Sequence, residues 1–229
     1  MKIIGLIGGT TWVSTLEYYR IINETIKEKL GGVHSAHCIL YSVDFDEFIL
    51  KNEGKWKEIA SSFIDIAKKL EQVGADFIIL CANTMHKIAD EIQNSVNIPL
   101  LNIVDVTAEK IVERGLKKVG LLGTKITMED DFYKQRLKRR FNIEAIVPGS
   151  EEREIINKII FNELTYNIIK QSSKQKYVKI INKLVLNGAE GIILGCTEIP
   201  LLIKKNDVNI PILDTTSIHA KAAVEYALK

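Results

Sequence analysis

The chain is poor in cysteine and proline, with three of the first and four of the second in 229 residues. Cys38, Cys81 and Cys196 are an odd count without the spacing of a disulfide framework, so free thiols in a reducing compartment are expected. No Pro- or Ser-rich stretch marks a linker. No run of five like charges occurs, and 31 basic against 29 acidic residues leave a net charge of +2. Neither a nucleic acid nor a membrane is therefore an expected partner. The opening MKIIGLIGGT is a short apolar run broken by glycines, which fits neither a signal-peptide core nor a membrane span, and a cytoplasmic location is expected. GLIGGT lacks the GxGxxG spacing of a dinucleotide fingerprint and no P-loop lysine follows it. His34 and His37 stand beside Cys38 without the further partners a zinc set needs, so neither metal nor cofactor is expected.

What the sequence does hold is an apolar content of 46%, enough to fill one large α/β domain or two of about 110 residues. Strand-like apolar runs alternate with amphipathic stretches, the pattern of a mostly parallel sheet flanked by helices. Strands are predicted at Lys2 to Gly8, Ala36 to Asp44, Asp76 to Ala82, Pro99 to Ile103, Lys118 to Gly123, Ile143 to Val147, Gly191 to Gly195 and Pro211 to Leu213. Ser14 to Glu17 reads as a capping box opening the first helix. Trp56, Ile59, Ala60, Phe63, Ala67 and Leu70 make one apolar stripe on the second.

Three pairs of segments recur in the same order. IGLIGGT at 4–10 answers to VGLLGTK at 119–125, GADFIIL at 74–80 to GAEGIIL at 188–194, and NIPLLNIVDVTA at 97–108 to NIPILDTTSIHA at 209–220. Their separations of 115, 114 and 112 positions drift by only three residues, which implies two similar α/β lobes. The first is expected at 1–97 plus 214–229 and the second at 98–213. Ligands of open α/β sheets sit beyond the carboxyl ends of the strands. GGTTWVST, CANTMH, GTKITM and GCTE thus become candidate site loops, expected to line one cleft between the lobes.

Cys196 follows a strand and precedes a helical stretch, whose N-terminal partial charge would lower the thiol pKa and ready it as a base or nucleophile. Thr197 and Glu198 lie close enough to anchor a ligand or assist proton transfer. A small buried cysteine is the plainer reading. In the first lobe the ungapped repeat pairs Ala82, not Cys81, with Cys196, and strand alternation turns Cys81 to the opposite face unless the strand ends early or bulges. Asn83 and Thr84 read either as a nest for a carboxylate or as helix caps. Thr10, Thr11, Ser14 and Thr15 carry the same two readings, and His86 and His219 read as supporting groups or surface residues.

GGTTWVST, YSVDFDEF, CANTMHKIADEI, LLGTKITMEDDFY, IIFNEL and GCTEIPLL, in that order, resemble the aspartate/glutamate racemases that work without pyridoxal phosphate. The resemblance implies pseudo-twofold-related lobes, a homodimer, a small amino acid or dicarboxylate as ligand, and one acid/base from each lobe on opposite faces of the substrate α-carbon. It implies a catalytic role for Cys196; for the first-lobe face the candidates are Cys81 or another first-lobe group, such as Thr84 or an ordered water. Thr10, Ala82, Asn83, Thr84, Thr197 and Glu198 would line the substrate, with Lys51 and Lys170 toward a side-chain carboxylate. The departure is Ala82, which stands where two-thiol members carry cysteine. Three activities are compatible with it: racemisation with Cys196 and another first-lobe group, single-thiol decarboxylation or proton exchange from one face, and dicarboxylate binding without catalysis.

Overall fold

In a computed structural model of the chain, residues 1–47 and 54–229 are described. They form an α/β structure of two compact units, one of residues 1–103 and 219–229, the other of residues 104–218. The first unit holds β1 (Ile4–Gly8), α1 (Trp12–Leu30), β2 (Cys38–Ser42), α2 (Trp56–Gln72), β3 (Phe77–Leu80), a 3₁₀ helix at Thr84–Ile88 and α3 (Ala89–Gln93). The helix α4 (Ile103–Glu113) then carries the chain into the second unit. There follow β4 (Lys118–Gly123), α5 (Lys125–Glu129), α6 (Asp131–Phe141), β5 (Glu144–Ile146), α7 (Ser150–Asn162), α8 (Gln171–Leu186), β6 (Gly191–Gly195), α9 (Ile199–Leu202) and β7 (Ile212–Asp214). The helix α10 (Thr215–Ala227) returns to the first unit.

Both sheets are parallel, in the orders β2-β1-β3 and β5-β4-β6-β7. Strands buried on both faces need continuous apolar runs. IGLIG, FIIL and GIILG supply them and are buried throughout. On α2 the predicted stripe faces the core, with Ile66 added to it. Each large side chain buried as fully as Phe63 contributes roughly 1.5–3 kcal/mol.

The repeat seen in the sequence is a repeat of hydrogen bonds. The chain leaves α2 through Gly74 (φ +94°) and α8 through Gly188 (φ +91°), a backbone region that glycine enters without a Cβ clash. The next amide then reaches back to the helix, Ala75 N–H to Leu70 O and Ala189 N–H to Leu184 O, both at 3.0 Å. The acid that follows pins the neighbouring strand. Asp76 Oδ2 accepts from Ile3 N–H at 2.6 Å, and Glu190 Oε2 accepts from Lys117 N–H at 2.6 Å. In Glu190 those backbone bonds hold the carboxyl below its ordinary range.

Two expectations are corrected. Pro99 to Ile103 is not a strand: its pairing is one parallel bridge, Ile78 with Leu100, made by Ile78 N–H to Pro99 O and Leu101 N–H to Ile78 O. No ladder follows that bridge before α4 begins at Ile103, whereas the matching segment of the second unit forms β7 before α10 begins at Thr215. The capping box at Ser14 is absent because α1 opens earlier, with Thr11 as its cap accepting from Ser14 N–H.

Candidate functional site

In the first unit, β1 ends at Gly8 and turns through Gly9 (φ +87°), where a Cβ would lie 2.0 Å from the Val43 carbonyl oxygen. That tight turn delivers four hydroxyl residues, and the structure separates their roles. Thr11 caps α1. The hydroxyl of Thr15 accepts from Gly9 N–H at 2.8 Å and donates to Thr11 O at 3.0 Å. Ser14 donates to the carbonyl of Cys81 at 2.6 Å. Thr10 differs: its hydroxyl is buried and has no hydrogen-bond partner among the described residues. A buried polar atom left in that state is a candidate ligand contact.

β3 ends at Leu80, and the next residues part to opposite faces. Cys81 is 1% exposed and packs among Ile4, Leu6 and Tyr18 with Ala220 and Val224 of α10. Burial alone pushes its thiol well above the ordinary range. Ala82 packs instead against the cluster formed by α2 and α3. Asn83 precedes the 3₁₀ helix but makes no side-chain cap to it, so the capping reading does not hold for this residue. It is buried, and Thr84 is half-buried beside it.

In the second unit, β6 ends at Gly195 and delivers Cys196, Thr197 and Glu198, all buried. The Cys196 thiol donates to Glu198 Oε2 at 3.0 Å, and the Thr197 hydroxyl donates to the same oxygen at 2.7 Å. The expectation of a thiol with lowered pKa is overturned. Burial first, then the charge of Glu198 and the hydrogen bond to it, push Cys196 well above its ordinary range. Backbone bonds act the other way and are outweighed; α9, with only four residues, adds too short a dipole to offset a neighbouring carboxylate. Cys196 therefore rests as a neutral thiol beside a hydrogen-bond acceptor.

Lys170 precedes α8, exposed, and pairs with Glu163 Oε1 at 3.3 Å. Glu163 Oε2 also accepts from Ser173 Oγ at 2.6 Å. One helical turn on, Tyr177 is packed in the same apolar cluster as Cys196. Its hydroxyl has no hydrogen-bond partner among the described residues, and burial, with the charges of Cys196, Glu198 and Glu163, pushes its pKa up. Glu163, Ser173 and Tyr177 are site neighbours that the sequence reading missed. The signal was available in part, since Glu163 lies in IIFNEL, and Ser173 and Tyr177 share a helix face at i, i+4. Lys51 lies outside the described residues.

The sequence model of the Asp/Glu/hydantoin racemase family matches residues 7–223. The chain belongs to this family. Among curated members, it is 27% identical over 228 residues to the broad specificity amino-acid racemase RacX of Bacillus subtilis (strain 168), covering 96% of each chain. Two solved structures cover all of it and are covered in full. One, from Yersinia pestis and provisionally assigned as an Asp/Glu racemase, is 49% identical with a TM-score of 0.94. The other, an aspartate racemase homologue from Pyrococcus horikoshii OT3, is 43% identical with a TM-score of 0.88. The racemase family match spans both units, and the loops after β1, β3 and β6 lie within it. Among the described residues no helix is long and apolar enough to cross a membrane.

Proposed function

We propose that the protein is an amino-acid racemase acting on aspartate or glutamate, with Cys196 as one acid/base and no cofactor in the reaction. The observation that carries this reading is the Cys196–Glu198 contact at a strand end, in a chain that the racemase family spans nearly end to end. Racemisation removes the α-proton to leave a planar carbanion delocalised into the carboxylate, then returns a proton to the opposite face. As acid, the Cys196 thiol protonates that carbanion. As base, it first passes its proton to Glu198 Oε2, and the thiolate then takes the α-proton. The second acid/base works from the opposite face, for which Thr84 and Cys81 are the candidates. The position of Cys81 in the apolar cluster favours Thr84. A hydroxyl donates a proton more readily than it abstracts one, so this assignment implies unequal rates for the two enantiomers. Asn83 and Thr10 would hold the substrate carboxylate, where charge develops. Lys170, already paired with a carboxylate, would meet the substrate side chain, as would Lys51.

The same reading takes the protein as a cytoplasmic homodimer. In support, Trp12, Leu16 and Tyr19 form an exposed apolar stripe on α1, and Trp12 is 70% exposed.

The experiment is proton NMR of purified protein with L-aspartate, then L-glutamate, in deuterated water, followed by chiral chromatography. Exchange with inversion that is abolished by Cys196→Ala supports the racemase. Exchange with retention means single-face chemistry, and no exchange with either acid rejects both.

A further inference from the structure

Two buried histidines of the first unit form a network whose proton positions are fixed by its partners. His219 Nε2 lies 2.8 Å from the carbonyl oxygen of Leu101, which can only accept. The proton is therefore on Nε2, and Nδ1 accepts from the Tyr18 hydroxyl at 2.8 Å. His86 has the opposite arrangement. Its Nε2 accepts from the Ile103 backbone N–H at 3.1 Å, which leaves Nδ1 as the donor to the Ala82 carbonyl at 2.9 Å. The two rings meet edge to face at 5.6 Å. Burial keeps His219 neutral, so no like charge faces His86 from that side.

The consequence lies in what His86 holds. The carbonyls of Cys81 and Ala82 are consecutive, and each is gripped by a side chain from a different element, Ser14 from α1 and His86 from the 3₁₀ helix. Asn83 and Thr84 follow at once. We infer that His86 is a positioning residue for the first-unit substrate loop: the Ile103 amide selects its tautomer, and the resulting Nδ1–H holds the Ala82 carbonyl and so aims Asn83 and Thr84. This rests on the assignment of Asn83 and Thr84 to substrate binding.

The two functions of the ring can be separated by substitution. An asparagine amide can reproduce the Nδ1 donor, and a glutamine can reach the Nε2 position and accept from Ile103. With L-aspartate, His86→Asn is expected to keep kcat/KM within about threefold, whereas His86→Gln loses on the order of tenfold, the worth of one hydrogen bond. Amide hydrogen exchange at Asn83 and Thr84 should quicken in His86→Gln and stay near wild type in His86→Asn. Nitrogen NMR of imidazole-labelled wild-type protein should find His86 protonated on Nδ1 and His219 on Nε2, a readout that needs neither variant to fold. The Nε2–H tautomer at His86, or losses in both variants that merely follow their melting temperatures, would overturn the inference. If wild-type protein turns over neither acid, the racemase reading fails, while the tautomer and the exchange pattern still decide the role of His86.

Discussion

The thiol of Cys196 and the carboxylate of Glu198 share a hydrogen bond of 3.0 Å inside the protein, two residues apart at the end of β6. A buried thiol next to a carboxylate stays protonated because its ionisation would put two negative charges side by side with little solvent between them. Glu198→Gln removes one of those charges and should lower the Cys196 pKa. The expected result is faster alkylation of Cys196 by iodoacetamide at mildly alkaline pH, read by mass spectrometry so that Cys38 and Cys81 are scored separately. An unchanged or slower rate would mean that burial alone governs the thiol.

His219 makes stability depend on pH. Burial lowers its pKa from 6.5 to about 4, against which the bond to Leu101 acts weakly. The unfolded chain binds a proton at this site below about pH 6.5, and the folded chain does so only near pH 4. Stability from this group is therefore complete above the unfolded value and is lost as pH falls between the two, by up to about 3 kcal/mol. His219→Asn, which can still accept from Tyr18 and does not titrate, should be less stable than wild type at neutral pH yet show a flatter decline toward pH 4 in urea unfolding. Parallel declines in the two proteins would assign the acid sensitivity to other groups.

The exposed stripe on α1 carries the prediction for assembly. Trp12, Leu16 and Tyr19 recur at i, i+4 and i+7, one face of a helix, and all are at least 49% exposed. Covering them by a second copy removes apolar surface from water; a lysine in the centre would have to be buried without a partner. Leu16→Lys should convert a dimer into a folded monomer by light scattering with unchanged far-ultraviolet circular dichroism. A wild-type protein that is already monomeric at assay concentration would reject the dimer.

The sequence made the strands legible where burial is total. Lys118–Gly123 and Gly191–Gly195 match their predicted bounds, since each holds an apolar core, VGLLG or GIILG, that starts directly after a charged residue, Lys118 or Glu190. The failure at Pro99 to Ile103 is instructive, since its echo NIPIL does form a strand, β7. The two segments are close in composition and each runs into a helix at the matching position, Ile103 and Thr215, so the difference between a three-pair ladder and a single bridge is not written in local propensity. In TTWVST, several hydroxyls compete for one cap, and one of them finds a distant partner: Ser14 bonds to Cys81, 67 positions away. The thiol environment of Cys196 was misread for the same kind of reason. A helix start is visible in sequence, but the direction in which Glu198 points is not.

The remaining question is the first-unit face, and Ala82 supplies the test. The repeat pairs Ala82 with Cys196, and the structure turns Ala82 toward α2 and α3 while Cys81 turns into the cluster with α1 and α10. Placing a thiol at 82 supplies an acid/base where the alternation of the strand puts Cys196 in the other repeat. A side chain at 82 can fit with modest cost because Ala82 is only partly buried. If Thr84 serves this face in the natural chain, Ala82→Cys should raise the slower inversion direction by a factor on the order of 10², measured by chiral chromatography from each pure enantiomer, while α-deuterium exchange at the Cys196 face changes little. Cys81→Ser should leave both directions near wild type and lower thermal stability, since it puts a hydroxyl into an apolar cluster. The reverse pattern, with Cys81→Ser abolishing inversion and Ala82→Cys without effect, would make Cys81 the second acid/base. It would also require Cys81 to leave its cluster with α1 and α10 during turnover, since the thiol is buried there.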